Sequence, residues 1–234
     1  MNCKVVLVQG AMDIEVEYLI SNLEQANKIT IAGYDFYRGH INNTSVIVSK
    51  TLMGTINSTI ATVIGINTFH PDIVINQGIA GSHKRDIHVG DIIIGEQCCN
   101  INSYSMPVKE EGKGSDPFEW SVNKRDEKSK LADKQLVNMF EKVFTKYCKT
   151  NIFVGTIGSG DVFNREADRI EWLNKIFKTD CEEMESIGVY TACSNLGVPC
   201  LGVRIISNNE LTRESFDEAQ AIVLQELIVE ILKE

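Results

Sequence analysis

The run Val5-Val6-Leu7-Val8-Gln9-Gly10-Ala11-Met12-Asp13-Ile14-Glu15 passes from a β-branched stretch through a glycine into a segment that continues at helix length to Gln25. A short apolar run closed by a glycine reads as a buried strand, and the stretch after it as the helix that covers the strand. The same alternation recurs along the chain. Strand-like runs lie at Ser45 to Val48, Ile73 to Ile75, Ile92 to Ile94, Ile152 to Val154 and Leu201 to Ile206. Helix-length segments lie at Ile56 to Phe69, Leu131 to Tyr147, Arg165 to Ile176 and Ser186 to Leu196. Strands alternating with helices predict an α/β fold, here one domain over 1–234 with a mixed β-sheet surrounded by α-helices. Ser215-Phe216-Asp217-Glu218 has the form of a capping box, and Phe216, Ala219, Val223, Leu227 and Ile231 then predict the apolar stripe of a last helix. The stretch from Asn100 to Ser129 carries Pro107, Gly112, Gly114, Pro117 and many charges. It reads as a long mobile loop whose Phe118 and Trp120 suit a lid or a subunit contact.

Composition narrows the partners. A formal net charge of -9 over 234 residues repels a phosphate backbone, and no basic run is longer than Lys124-Arg125, so nucleic acid is not an expected partner. The seven cysteines, from Cys3 to Cys200, fall mostly in apolar runs and never in a CxxC spacing, which reads as buried thiols in a reducing compartment. Acidic Asp13 and Glu15 interrupt the first apolar run before it reaches signal length, and no later run approaches the ~20 residues of a membrane span. A cytoplasmic protein without a membrane partner is expected. The four histidines show no ligand spacing, and no metal site and no cofactor is expected. There is no GxSxG elbow, no GxGxxG and no P-loop.

The polar residues that remain gather at strand exits, where open α/β sheets bind ligands. Glu15 falls in the first turn of its helix, a position that equally suits a surface acid complementing the helix dipole. Asn76-Gln77-Gly78-Ile79-Ala80-Gly81 brings two glycines that let a backbone approach a ligand. Ser159-Gly160-Asp161-Val162-Phe163-Asn164 offers Asp161 to brace a loop and Phe163 to stack on a planar base or to anchor the loop. Glu183-Met184-Glu185 places two carboxylates around a thioether between a strand end and a helix start. An ionised carboxylate accepts both hydrogens of a vicinal diol while a methionine packs under a ring, which points to a nucleoside. Arg204-Ile205-Ile206-Ser207-Asn208-Asn209 closes the last strand-like run. The candidate functional residues at these exits are Glu15, Ile79, Phe163, Asn164, Glu183, Met184, Glu185, Arg204, Ser207 and Asn208.

In this order, together with His88-Val89-Gly90-Asp91, these motifs resemble the 5'-methylthioadenosine/S-adenosylhomocysteine nucleosidases of the purine nucleoside phosphorylase superfamily. The resemblance runs from Val5 to the final helix and is weakest between Asn100 and Thr150. It implies a homodimer that hydrolyses a purine N-ribosidic bond without a cofactor. It also implies that Glu15 and Asn208 are the catalytic residues and that the other candidates bind substrate. By motif, Glu15 would activate the water, Glu185 would hold the 2'- and 3'-hydroxyls, Met184 would pack on the ribose and Phe163 would stack on the purine. Asn208 stands where the family carries an acid, and an amide donates a hydrogen bond but cannot surrender a proton. That leaves a nucleosidase for 6-oxopurine nucleosides, a weak adenosine-type hydrolase, or a residue altered to trap ligand. A binding or storage protein and a phosphate-dependent phosphorylase are the alternative activities. Ile79 and Leu52-Met53-Gly54-Thr55 also depart from the pattern and make the pocket more apolar.

Overall fold

The chain runs β1 (Val5–Gly10), α1 (Asp13–Ser21), β2 (Glu24–Ile31), β3 (Tyr34–Ile41), β4 (Thr44–Lys50), α2 (Thr55–Phe69), β5 (Ile73–Ser82) and β6 (Ile92–Asn100). It continues through the short β7 (Tyr104–Ser105), β8 (Ser121–Val122) and β9 (Lys130–Leu131), then α3 (Lys134–Tyr147), β10 (Ile152–Ser159), α4 (Ala167–Phe177), β11 (Cys181–Glu183), α5 (Ser186–Leu196), β12 (Cys200–Asn208) and α6 (Gln220–Lys233). The structure is a computed structural model and describes residues 5–114, 116–122 and 129–234. Cys3 and Lys124-Arg125 lie outside the described residues.

The main sheet has the order β11-β10-β6-β12-β5-β1-β4-β3-β2. β1 is parallel to both β4 and β5, so both of its faces need cover, which is why these strands read as continuous apolar runs. β12 is parallel to β5 and antiparallel to β6, and this makes the sheet mixed. One face packs on α1, α3 and α6 through Val16, Leu19, Phe140, Phe144, Leu224 and Ile228. The other packs on α2 and α5 through Ala61, Ile66, Val189, Tyr190 and Cys193. The described cysteines are free, and Cys98, Cys99, Cys181, Cys193 and Cys200 are buried. Among the described residues no helix is long and apolar enough to cross a membrane.

Three expectations need correction. The helix expected to reach Gln25 ends at Ser21, and β2 begins at Glu24. β2 is an edge strand with mostly exposed residues, so it carries no alternating apolar signal. The last helix begins at Gln220, not at Ser215, and buries Ala221, Leu224, Gln225, Ile228, Ile231 and Leu232. The backbone N–H of Asp217 donates to Ser207 O at 2.8 Å, drawing the preceding residues back over the end of β12 and leaving Phe216 half-exposed. Within 100–129 the chain is anchored at Tyr104 and Trp120, while Met106 and Val108 between them are exposed. Trp120 stacks on Tyr104 with ring centroids 4.9 Å apart, and both meet the edge of Trp172. The Arg169 guanidinium lies 4.5 Å from the Tyr104 and Trp120 rings and 4.7 Å from Trp172.

Candidate active site

A cavity of about 270 Å³ opens beyond the carboxyl ends of β1, β5, β11 and β12, the place where such sheets bind ligands. Glu15 enters it from the first turn of α1 and is only 4% exposed. Its carboxylate folds back to accept from Ala11 N at 2.7 Å, Met12 N at 3.0 Å and Ile79 N at 3.0 Å. A Cβ on Gly78 would run into Glu15 Oε1, so the glycine is what allows this approach. A surface acid would not be gripped in this way. Burial raises the Glu15 pKa, and the Arg204 charge and the three backbone donors work against that rise.

Glu185 caps α5. Its Oε1 accepts from Gly54 N at 2.9 Å, which ties it to a loop in which Leu52 and Gly54 both have positive φ. Burial, and next the neighbouring Glu183, push its pKa up to about 8, partly offset by Arg204. Glu183 has a different part. It accepts from the N–H groups of Glu185 and Ser186 at the start of α5 and pairs with Arg204 Nη2 at 2.5 Å. Arg204 is 1% exposed and also donates to Asn76 and Ser186. Burial opposes its charge, but Glu183 and Glu185 outweigh it and hold the guanidinium above its ordinary range. One arginine thus faces three buried carboxylates, and the raised Glu185 is where the surplus negative charge is relieved.

The other end of the cavity is apolar and open. Phe163, Phe216 and Met53 line it while 53%, 54% and 59% exposed. Met184 and Ile79 also line it. Ser207 Oγ is 3.0 Å from Asn208 Oδ1, so the Asn208 NH2 is left with a long 3.4 Å contact to Glu210 and with any ligand. Of the residues singled out from sequence, Glu15, Ile79, Phe163, Met184 and Glu185 line the cavity, as do Glu183, Ser207 and Asn208. Arg204 and Asn164 do not. Arg204 sits beneath the acids, and Asn164 spends its N–H and its Nδ2 on Glu182. Asp161 accepts from Thr55 N and Thr55 Oγ1, each at 2.7 Å, and so braces the start of α2.

Met12, Val162, Glu182 and Phe216 also line the cavity without having been singled out as site residues, whereas Met53 belongs to the loop expected to make the pocket more apolar. Glu182 adjoins the acidic cluster and Met12 the turn before Glu15, so proximity to those motifs was an available signal. Phe216 lies in a loop before α6, and its helical spacing to Ala219 and Val223 pointed to a helix rather than to the cavity.

Fold and cleft together define an α/β protein with a mixed sheet and a ligand-sized cleft at its strand ends. The Phosphorylase superfamily profile matches residues 5–233. A 5'-methylthioadenosine/S-adenosylhomocysteine nucleosidase of an Exiguobacterium species is 31% identical over 212 residues, covering 89% of this chain and 88% of that protein. The nucleosidase of that name from Bacillus subtilis is 28% identical, with 97% of each chain covered. The chain belongs to the 5'-methylthioadenosine/S-adenosylhomocysteine nucleosidase family of this superfamily. The fold is shared with the Neisseria meningitidis nucleosidase in complex with methylthio-immucillin-A, at TM-score 0.83 and 24% identity with 98% of this chain and 99% of that one covered. It is shared also with futalosine hydrolase of Helicobacter pylori, at TM-score 0.79 and 23% identity with 97% of each chain covered.

Proposed function

We propose that this protein is a purine nucleosidase that uses water to cut the bond between C1' of a ribose and the base. The observation that carries the reading is that Glu15 and Glu185, far apart in sequence, are both buried on the wall of one cavity with Phe163 at its mouth. As the glycosidic bond breaks, its electron pair leaves with the purine and positive charge develops on the sugar. Glu15 stabilises that charge and takes a proton from the attacking water. Glu185 accepts from the 2'- and 3'-hydroxyls, Met184 packs on the ribose and Phe163 stacks on the base. Phosphate is disfavoured as the nucleophile, because the acids at this end outnumber their one guanidinium, which is already engaged.

For the base, the Asn208 amide favours a 6-oxopurine. Its oxygen already faces the Ser207 hydroxyl, so only the NH2 remains, and N7 and O6 of a 6-oxopurine are two adjacent acceptors. Adenine would instead ask one amide both to donate and to accept. The homodimer implied by the family resemblance has a surface available on α2, where Ile56 and Ile60 are 71% and 42% exposed. Sedimentation at twice the 26.1 kDa chain mass is then expected. The buried thiols fit a cytoplasmic setting.

The test is release of free base from inosine, guanosine, methylthioadenosine and adenosylhomocysteine, with and without phosphate. Release that is independent of phosphate is the expected result. Release only with phosphate would make the protein a phosphorylase, and no release from any substrate would end the catalytic reading.

A further inference from the structure

The turn of α1 that carries Glu15 is gripped through its backbone as well as through the carboxylate. In a regular α-helix the carbonyl of Ile14 accepts from the N–H of Tyr18, and that of Glu15 from the N–H of Leu19. Here two side-chain amides reach all of these groups. Gln225 Nε2 donates to Ile14 O at 2.7 Å, and Gln225 Oε1 accepts from Tyr18 N at 3.1 Å and from Leu19 N at 3.3 Å. The same Nε2 is tied back to Ala221 O at 2.9 Å, which fixes the amide on its own helix. Gln77 Nε2 donates to Glu15 O at 2.5 Å. Gln225 comes from α6 and Gln77 from β5, so the turn is clasped by two separate elements.

Packing alone asks for neither amide. Gln225 is fully buried on the face of α6 that also buries Ala221, Leu224 and Ile228, and Gln77 is buried within β5. A methionine has nearly the volume of a glutamine and would fill either place without desolvating a polar group. What the amides add is position, because a side chain that enters the backbone ladder sets the local course of a helix. α6 is also the helix to which the Phe216 segment leads, so Gln225 ties the turn bearing the acid to the element that carries the open end of the cleft. We propose that Gln225 and Gln77 are positioning residues, which fix the first turn of α1 so that the Glu15 carboxylate meets Ala11 N, Met12 N and Ile79 N and faces C1' of the ribose. Neither amide touches substrate, and both act through Glu15.

This inference rests on the nucleosidase reading for the reaction, and two readouts keep the two apart. One is kcat and KM for base release by the wild-type protein, Gln225→Met and Gln77→Met. The other needs no turnover: a carbon-13 NMR titration of the Glu15 carboxyl, its signal assigned by its loss in Glu15→Gln. Each methionine variant should lose about ten- to a hundredfold in kcat, as for a catalytic group displaced by about an ångström, with KM nearly unchanged. A carboxyl freed from the clasp gains solvent, so its titration should move from its raised position toward the ordinary 4.5. A merely structural role would lower the thermal midpoint and leave both readouts where they were. Either variant decides alone if the other does not fold. Wild-type kcat in a folded variant, or a Glu15 titration that does not move, would overturn the proposal. A moved titration with no base released by the wild-type protein would sustain the clasp and remove the nucleosidase reading.

Discussion

Around Arg204 the cleft is dry and dense with charge, with Glu15, Glu183 and Glu185 each under a tenth exposed and fastened to backbone N–H groups. Around Phe163 it is half open, and the rings and thioether that line it stand more than half in solvent. The first region hangs on strand ends and helix starts, whose positions the sheet dictates. The second hangs on loops, whose side chains are free to adapt to what binds. Bond cleavage needs the first kind of construction, because a catalytic carboxylate misplaced by an ångström loses much of its effect. Ring stacking tolerates the second.

Replacing Glu15 by Gln tests the charged end hardest. It should lower kcat by about two to four decades, the usual contribution of a general base, while nucleoside affinity measured by calorimetry stays nearly unchanged. A comparable loss of affinity would mean that Glu15 is a binding group and that the contrast between the two ends is misplaced. Arg204→Met comes next. Glu183 would then be buried without its cation, and breaking one side of such a pair costs about 3–5 kcal/mol, read from urea denaturation. Phe163→Ala at the open end should leave stability within about 0.5 kcal/mol, as for an exposed site, and raise KM by roughly tenfold or more, the worth of a base–aromatic stack.

The pH response of Glu185 sharpens the comparison from within the charged end. Its folded pKa of about 8 lies above the ordinary 4.5, so the folded state binds this proton more tightly than the unfolded chain does. Stability from this group is therefore present below the ordinary value and is lost as pH rises through about 8. The thermal midpoint should fall across that window, and fall less in Glu185→Gln. Activity moves the other way. The diol needs the ionised carboxylate, so kcat/KM should climb as pH approaches about 8, and the same variant should flatten that limb.

The difference between the two ends also explains what was legible in the sequence. The parallel strands announced themselves as apolar runs, and the acids at their ends stood out because a carboxylate at a strand-to-helix junction has no core to fill. Glu183 and Arg204 were visible as polar residues beside those strands, but only the fold shows that they pair beneath the floor. β2 was hidden by its exposed edge, and Phe216 was read into a helix because helical spacing fits it as well as a loop does. Trp120 looked like part of a mobile segment, since the Arg169 and Trp172 that hold it come from α4, dozens of residues away.

The most direct test is a crystal structure of the protein with a bound, non-hydrolysable purine nucleoside analogue. The account predicts one ribose spanning the charged end, its 2'- and 3'-hydroxyls within hydrogen-bond distance of Glu185, and a water held by Glu15 on the face of C1' opposite the base. A ribose that meets only one of these two carboxylates, or an analogue bound elsewhere on the molecule, would contradict it.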